Sequence, residues 1–257
     1  KAEDAFRGHG LHKLERRYGA AVINLSKQPA ETVEREIAGR KVTVTLPKLL
    51  LHETDLFVSL PVPKIHVMTR VTLAFKNLWG CIPSTMRLRE HAEFDHKILA
   101  ISRLVSPGLS VFDGTYFLDK TGPVFGEKVP MHLVIAGDDF GGGSAACCSV
   151  MGIDPQKVRR FRLARKCGLF PTDLQEVTLN CAPEAYQTRT FTMQRAFLDY
   201  LSLIEFRSKF FNWFFWDSAF AAPLHTVLHT LRRNPIICRL LYGPTGSPPE
   251  VGARIYS

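Results

Sequence analysis

Six apolar runs of strand length, separated by stretches with helical spacing, constrain this fold more than any other feature of the chain. The runs are AAVINLS (20–26), VTVTLP (42–47), DLFVSLPV (55–62), LSVFDGTYFL (109–118), MHLVIAG (131–137) and QEVTLN (175–180). Helices are expected over 2–18, 69–79, 92–105, 144–151 and 155–167. Ala38-Gly39-Arg40 between two alternating runs predicts a hairpin, and DLFVSLPV predicts a buried strand. Alternation of this kind predicts an α/β domain with a mainly parallel or mixed sheet flanked by helices. Ligands of such sheets gather beyond the carboxyl ends of the strands.

The pattern changes after Thr190, which divides the chain into an α/β domain over 1–190 and an aromatic-rich helical extension over 191–257. Eight of the fifteen residues from Phe206 to Phe220 are aromatic. Residues 210–231 carry one formal charge, Asp217, but Asn212, Pro223, His225 and His229 interrupt the run and argue against a membrane-spanning helix. The segment 206–231 is expected to cover the sheet, to join copies of the chain, or to lie on a membrane surface.

Lys and Arg exceed Asp and Glu by nine, a bias toward anionic partners. KVRRFRLARK (157–166) holds six of these cations. It reads as a solvated helix face over Val158, Phe161 and Ala164 or Arg165, and nucleic acid is disfavoured because no stacking platform accompanies it. Six cysteines, with no C-x-x-C, predict a reducing cytoplasmic setting. The start at Lys1, with no charged-then-apolar leader, reads as cut from something longer.

The stretch KIHVMTRVTLAFKNLWG (64–80) places polar groups where a strand hands over to a helix. A helix from Thr69 would bury Val71, Ala74, Phe75 and Leu78 and leave Thr72 and Lys76 on another face. Its N-terminus beside Lys64 and His66 would form an anion cradle; alternatively Thr69 caps and the lysines are solvated.

The same residues carry a resemblance. Lys64-x-His66, Thr72, Lys76-Asn77 and Gly80 followed by CIP, then HAEFDHKI, Asp113 in SVFDGT, Gly122-Pro123 with Gly126, and MGIDP resemble the prokaryotic family catalogued as domain of unknown function 362, over about 15–180. The family's Asp-Pro-x-Ala-x-Asp is here DFGGGS, so Asp139 matches the first acid and Ser144 replaces the second. Its earlier βαβ portion with Lys-Pro-Asn has no counterpart, which is consistent with a start cut from something longer. Relatives are often joined to ferredoxin-like modules, which implies a ferredoxin-like redox partner. The cysteines lack the tight spacing of cluster ligands, so no iron–sulfur cluster is expected within this chain.

The expected site is therefore catalytic His66, Lys76 and Asp113 with substrate-binding Lys64, Thr72 and Asn77, acting on an anionic small molecule. Asp113 with Asp139 is the pair that would hold a divalent cation; capping is the competing role. Glycines 141–143 read as close helix packing rather than a nucleotide loop, Cys147 and Cys148 as buried, Cys81 as no nucleophile, and His225 with His229 as polar helix positions. The alternative function is a non-catalytic interaction protein docking on a membrane surface or subunit through its aromatic segment, in the cytoplasm or peripheral to the membrane.

Overall fold

The computed structural model describes residues 2–106, 108–123 and 126–232. The predicted first helix is broken: α1 (Ala2–Gly8) and α2 (Leu11–Tyr18) meet at Gly10, whose φ of 68° lies in the left-handed region. AAVINLS forms no strand. Asn24 instead accepts the Ser26 N–H with its side chain and starts a short 3-10 turn, as asparagine does where the backbone has no neighbouring strand to pair with.

The predicted hairpin is present as β1 (Ala30–Ile37) and β2 (Arg40–Pro47), antiparallel in full register. Ala38 and Gly39 both have positive φ, the two-residue turn that matches strand twist. Val42, Val44 and Leu46 are buried and pack toward α5 (Phe94–Leu104). Between them come α3 (Lys48–His52), β3 (Phe57–Ser59), β4 (Lys64–His66), β5 (Arg70–Thr72) and α4 (Ala74–Asn77). Then follow β6 (Gly108–Asp119), β7 (Glu127–Gly137), α6 (Phe140–Val150), α7 (Arg159–Lys166) and α8 to α10 (Phe197–Arg207, Lys209–Trp216, Ala221–Arg232).

The main sheet is mixed and has five strands, so the expected fold class is observed, including the helical extension. β6 is its centre, with β7 antiparallel along one side and β3 then β4 parallel along the other. Pro61 and Pro63 separate β3 from β4, yet their carbonyls accept from Asp113 N and Leu118 N, so the segment tracks β6 throughout. DLFVSLPV is not buried as expected. Leu56, Val58, Leu60 and Val62 are exposed, while Ser59 turns inward.

The largest departure concerns 69–79. Arg70, Val71 and Thr72 pair with His66, Ile65 and Lys64 as β5, and helix begins only at Ala74. Val71, Ala74, Phe75 and Leu78 are all fully buried as the helical spacing required, because a strand followed by one helical turn can present the same residues inward. Four residues of helix supply no anion cradle, and Thr69 caps nothing: its hydroxyl meets the Val71 carbonyl.

Helix α6 packs against β6 so closely that a Cβ at Gly143 would lie 2.4 Å from the buried Ser110 hydroxyl and 3.0 Å from the Phe112 ring. Ser110 is held by its bond to the Asp139 carbonyl and cannot yield. Gly143→Ala should therefore destabilise the protein by about 1–3 kcal/mol, although the same change on an open helix face would stabilise it. Urea unfolding of the variant checks the sign.

Candidate functional site

The short β4–β5 hairpin positions the polar groups of 64–80. Its loop is held from outside: Val67 N donates to the Gly122 carbonyl, and the Val67 carbonyl accepts from Arg195 Nε at 2.8 Å. From inside it is held by Arg160 of α7, which is 1% exposed and donates through Nη2 to the carbonyls of Thr69 and Val71. The expectation that the α7 cations form a solvated face is thus wrong at Arg160. The signal was present in the sequence: Arg160 stands four residues before Ala164, on the buried side of the helix.

His66 is buried, and its Nδ1 accepts the Met68 N–H at 3.2 Å, which leaves the proton of the neutral ring on Nε2. Burial, reinforced by the positive charges of Lys76, Arg160, His91 and Lys64, drives its pKa down to about 2. It is a neutral hydrogen-bond donor at physiological pH. Lys76, on α4, is of intermediate exposure and has neither a hydrogen bond nor an ion pair among the described residues. Burial, with Arg160, Lys64 and Arg87 adding repulsion, lowers its pKa to about 7. His91 is pushed down to about 4 by burial and by Lys76. Six positive or protonatable groups (His66, Lys76, His91, Lys64, Arg87 and Arg160) thus act on one another, and Asp95 lies 4.0 Å from Arg160 Nη1.

Thr72 pairs with Lys64 across the hairpin, and its buried hydroxyl has no partner among the described residues; the same holds for Trp79 Nε1 and Arg160 Nε. Asn77 is exposed and donates through Nδ2 to Ser59 Oγ at 3.1 Å, tying α4 to β3. The structure therefore brings Lys64, His66, Thr72 and Lys76 together on one hairpin and the turn after it, with Asn77 at the margin. The family described as domain of unknown function (DUF362) matches residues 1–149, more than half of the chain. The chain belongs to that family.

The matched region of this DUF362 chain contains the whole Lys64–Gly80 stretch and ends inside α6, short of the MGIDP segment. A curated relative, the thylakoid-associated protein sll1697 of Synechocystis sp., is 26% identical over 127 residues, 47% of this chain and 40% of the relative. The chain thus spans well under half the length of the relative it matches. No solved structure gives a significant match.

The two aspartates are placed elsewhere. Asp113 is exposed on β6, where its Oδ1 accepts from Thr115 N and Oγ1 at 2.9 and 2.7 Å, and those bonds hold its pKa below the usual range. Asp139 caps α6, accepting from Gly142 N at 2.6 Å, and burial raises its pKa. Among the described residues no group of three or more His, Cys, Asp or Glu side chains could hold a metal ion. Ser144, at the family's second acid position, is buried in α6 and donates to the Phe140 carbonyl. Cys81 is buried and its thiol is pushed up to about 12, and Cys147 and Cys148 are likewise buried with raised pKa values. His225 Nε2 lies 3.0 Å from the Phe215 carbonyl; Cys238 lies outside the described residues.

The lysine's depressed pKa fixes a sign. The folded state disfavours the ammonium, so the cost is complete below pH 7 and disappears as pH approaches the ordinary lysine value of 10.5. Lys76→Met should therefore stabilise the protein by roughly 1–2 kcal/mol at pH 6, with the gain vanishing toward pH 10. Urea melts at the two pH values measure it, and a destabilised variant would make Lys76 a structural residue.

Proposed function

We propose that this DUF362 chain binds a small anionic ligand at the β4–β5 hairpin, and that Lys76 is the group that receives its charge. The observation that carries this reading is that Lys76, within a cluster of cations, has no counter-ion among the described residues. A protein gains no stability from an uncompensated, partly desolvated ammonium, so such a group is retained for what it meets. Lys64 adds long-range attraction, and the His66 Nε2–H and the Thr72 hydroxyl offer hydrogen bonds to an oxyanion.

The same set suits chemistry on a carboxylate or phosphoryl group. A lysine near neutrality exchanges protons readily at physiological pH, and a neutral imidazole polarises an oxygen without giving up its proton. A general acid–base role for Lys76 with His66 as electrophile is the catalytic form of the proposal. The exposed Asp113 belongs to it only if ligand binding moves β6. Isothermal titration with inorganic phosphate and with oxalate, at pH 6.5, should show binding that Lys76→Met abolishes while its unfolding curve stays cooperative. Equal affinity in the variant would reject Lys76 as the receptor.

A second reading rests on the aromatic helices. Phe210, Trp213 and Phe220 are 62%, 52% and 66% exposed, on α9 and the turn that follows it. No helix among the described residues is long and apolar enough to cross a membrane. Exposed aromatic rings on a basic protein suit the surface of an anionic bilayer, and the curated relative is named for an association with thylakoids. The chain is then a cytoplasmic-face protein held peripherally. Vesicles containing phosphatidylglycerol should float the protein but not the Phe210→Ser, Trp213→Ser, Phe220→Ser variant; equal flotation of both would remove this reading.

A further inference from the structure

Beside the β4–β5 hairpin, its loop, α7, the end of α8 and the turn before α5 enclose a cleft of about 480 Å³. Its lining includes eight arginines and lysines and one carboxylate, Asp95. The cations differ in how they are engaged. Arg40 is paired with Glu93 at 2.9 Å, and Arg159 and Arg160 share Asp95 at 3.4 and 4.0 Å. Arg162 meets the Gln156 carbonyl, and Arg195 meets the Val67 carbonyl and lies 5.9 Å over the Tyr200 ring; none of these contacts is a carboxylate. Arg70, Lys157 and Arg207 have no hydrogen bond or ion pair among the described residues.

Two further features distinguish this cleft from a merely basic surface. Arg160, which lines it, is fully buried, and its Nε has no partner. Arg70 closes the hairpin loop at φ 70°, a left-handed conformation normally left to glycine or asparagine and costing about 1–2 kcal/mol for a side chain like this one. The strain holds an arginine at the mouth of a concave site where glycine would serve the turn better. Met68, Met193 and Phe206 supply an apolar wall beside the cations.

We propose that this cleft is a binding site for an organic di- or triphosphate. Five cations without a carboxylate partner among the described residues match the several charges of adjoining phosphoryl groups, and arginine's planar fork pairs with two phosphoryl oxygens at once. The volume is that of a small-molecule site, and its apolar wall accommodates the organic portion. The site uses residues outside the proposed Lys76 receptor, apart from the electrostatic influence of Arg160, and stands whether or not that receptor is correct.

The test is isothermal titration of the full chain with inorganic tripolyphosphate and with ATP. The same titration is run with a ten-nucleotide single strand, and vesicle sedimentation is run with phosphatidylglycerol. Arg162→Glu removes an exposed cleft cation, and Lys166→Glu makes the same charge change on the same helix outside the cleft. Both soluble triphosphates should bind, ATP the more tightly, and Arg162→Glu should weaken them at least about tenfold while Lys166→Glu leaves them within twofold. Lys76→Met should also leave triphosphate affinity within twofold, which separates this site from the other. Absence of triphosphate binding, or equal loss in both charge-reversal variants, overturns the proposal. Tighter binding of the oligonucleotide than of ATP would assign the cleft to nucleic acid, and vesicle binding without free triphosphate binding would assign it to a lipid headgroup; either overturns the small-molecule assignment.

Discussion

A guanidinium with almost no access to water fixes the geometry on which the rest of the candidate site depends. Arg160 reaches from α7 across the core to the carbonyls of Thr69 and Val71, and those bonds determine where the β4–β5 hairpin stands. Backbone carbonyls satisfy its hydrogen-bonding needs but not its charge. Asp95 offers only a distant share, divided with Arg159. The surplus charge is felt twice: it depresses His66 and Lys76, and it contributes to the cationic cleft that Arg160 lines. A second carboxylate against Arg160 would remove its repulsion of Lys76 but not the burial that also lowers the lysine's pKa.

Burial and the repulsion of Arg160, Lys64 and Arg87 act together at Lys76. Burial is the larger influence. Conventional structural lysines escape it either by extending into water or by meeting an acid, as Lys97 does with Glu90 at 2.6 Å a short distance away. The contrast between these two lysines is the clearest reason to assign Lys76 to a ligand. Lys97 shows that the chain can compensate a buried ammonium where it needs only structure.

Much of the architecture was legible in the sequence. The hairpin around Ala38-Gly39, the long runs of β6 and β7 and the helices α5, α6 and α7 follow directly from periodicity and turn chemistry. The misreading at 69–79 has a simple cause: Val71, Ala74, Phe75 and Leu78 satisfy helical spacing and are all buried, but three-residue strands leave almost no alternation to detect. AAVINLS has strand composition without a partner strand, which composition cannot reveal. The candidate residues Lys64, His66, Thr72 and Lys76 were singled out through their order along the chain. Arg160 was missed because five further cations surround it in sequence and only its spacing from Ala164 marks it as internal. Asp113 and Asp139, acids at or beside strand ends, accept N–H groups of Thr115 and Gly142, a local role that spacing alone does not reveal.

The central claim is that Lys76 is a cation held without a counter-ion until an anion arrives. The direct measurement is the titration of its side chain by carbon-detected NMR on protein labelled at lysine Cε, assigned by the Lys76→Met variant, without and with saturating phosphate. The account predicts a midpoint near pH 7 in the absence of anion and a clear upward shift when phosphate is bound. A midpoint at the ordinary lysine value in both conditions would contradict it.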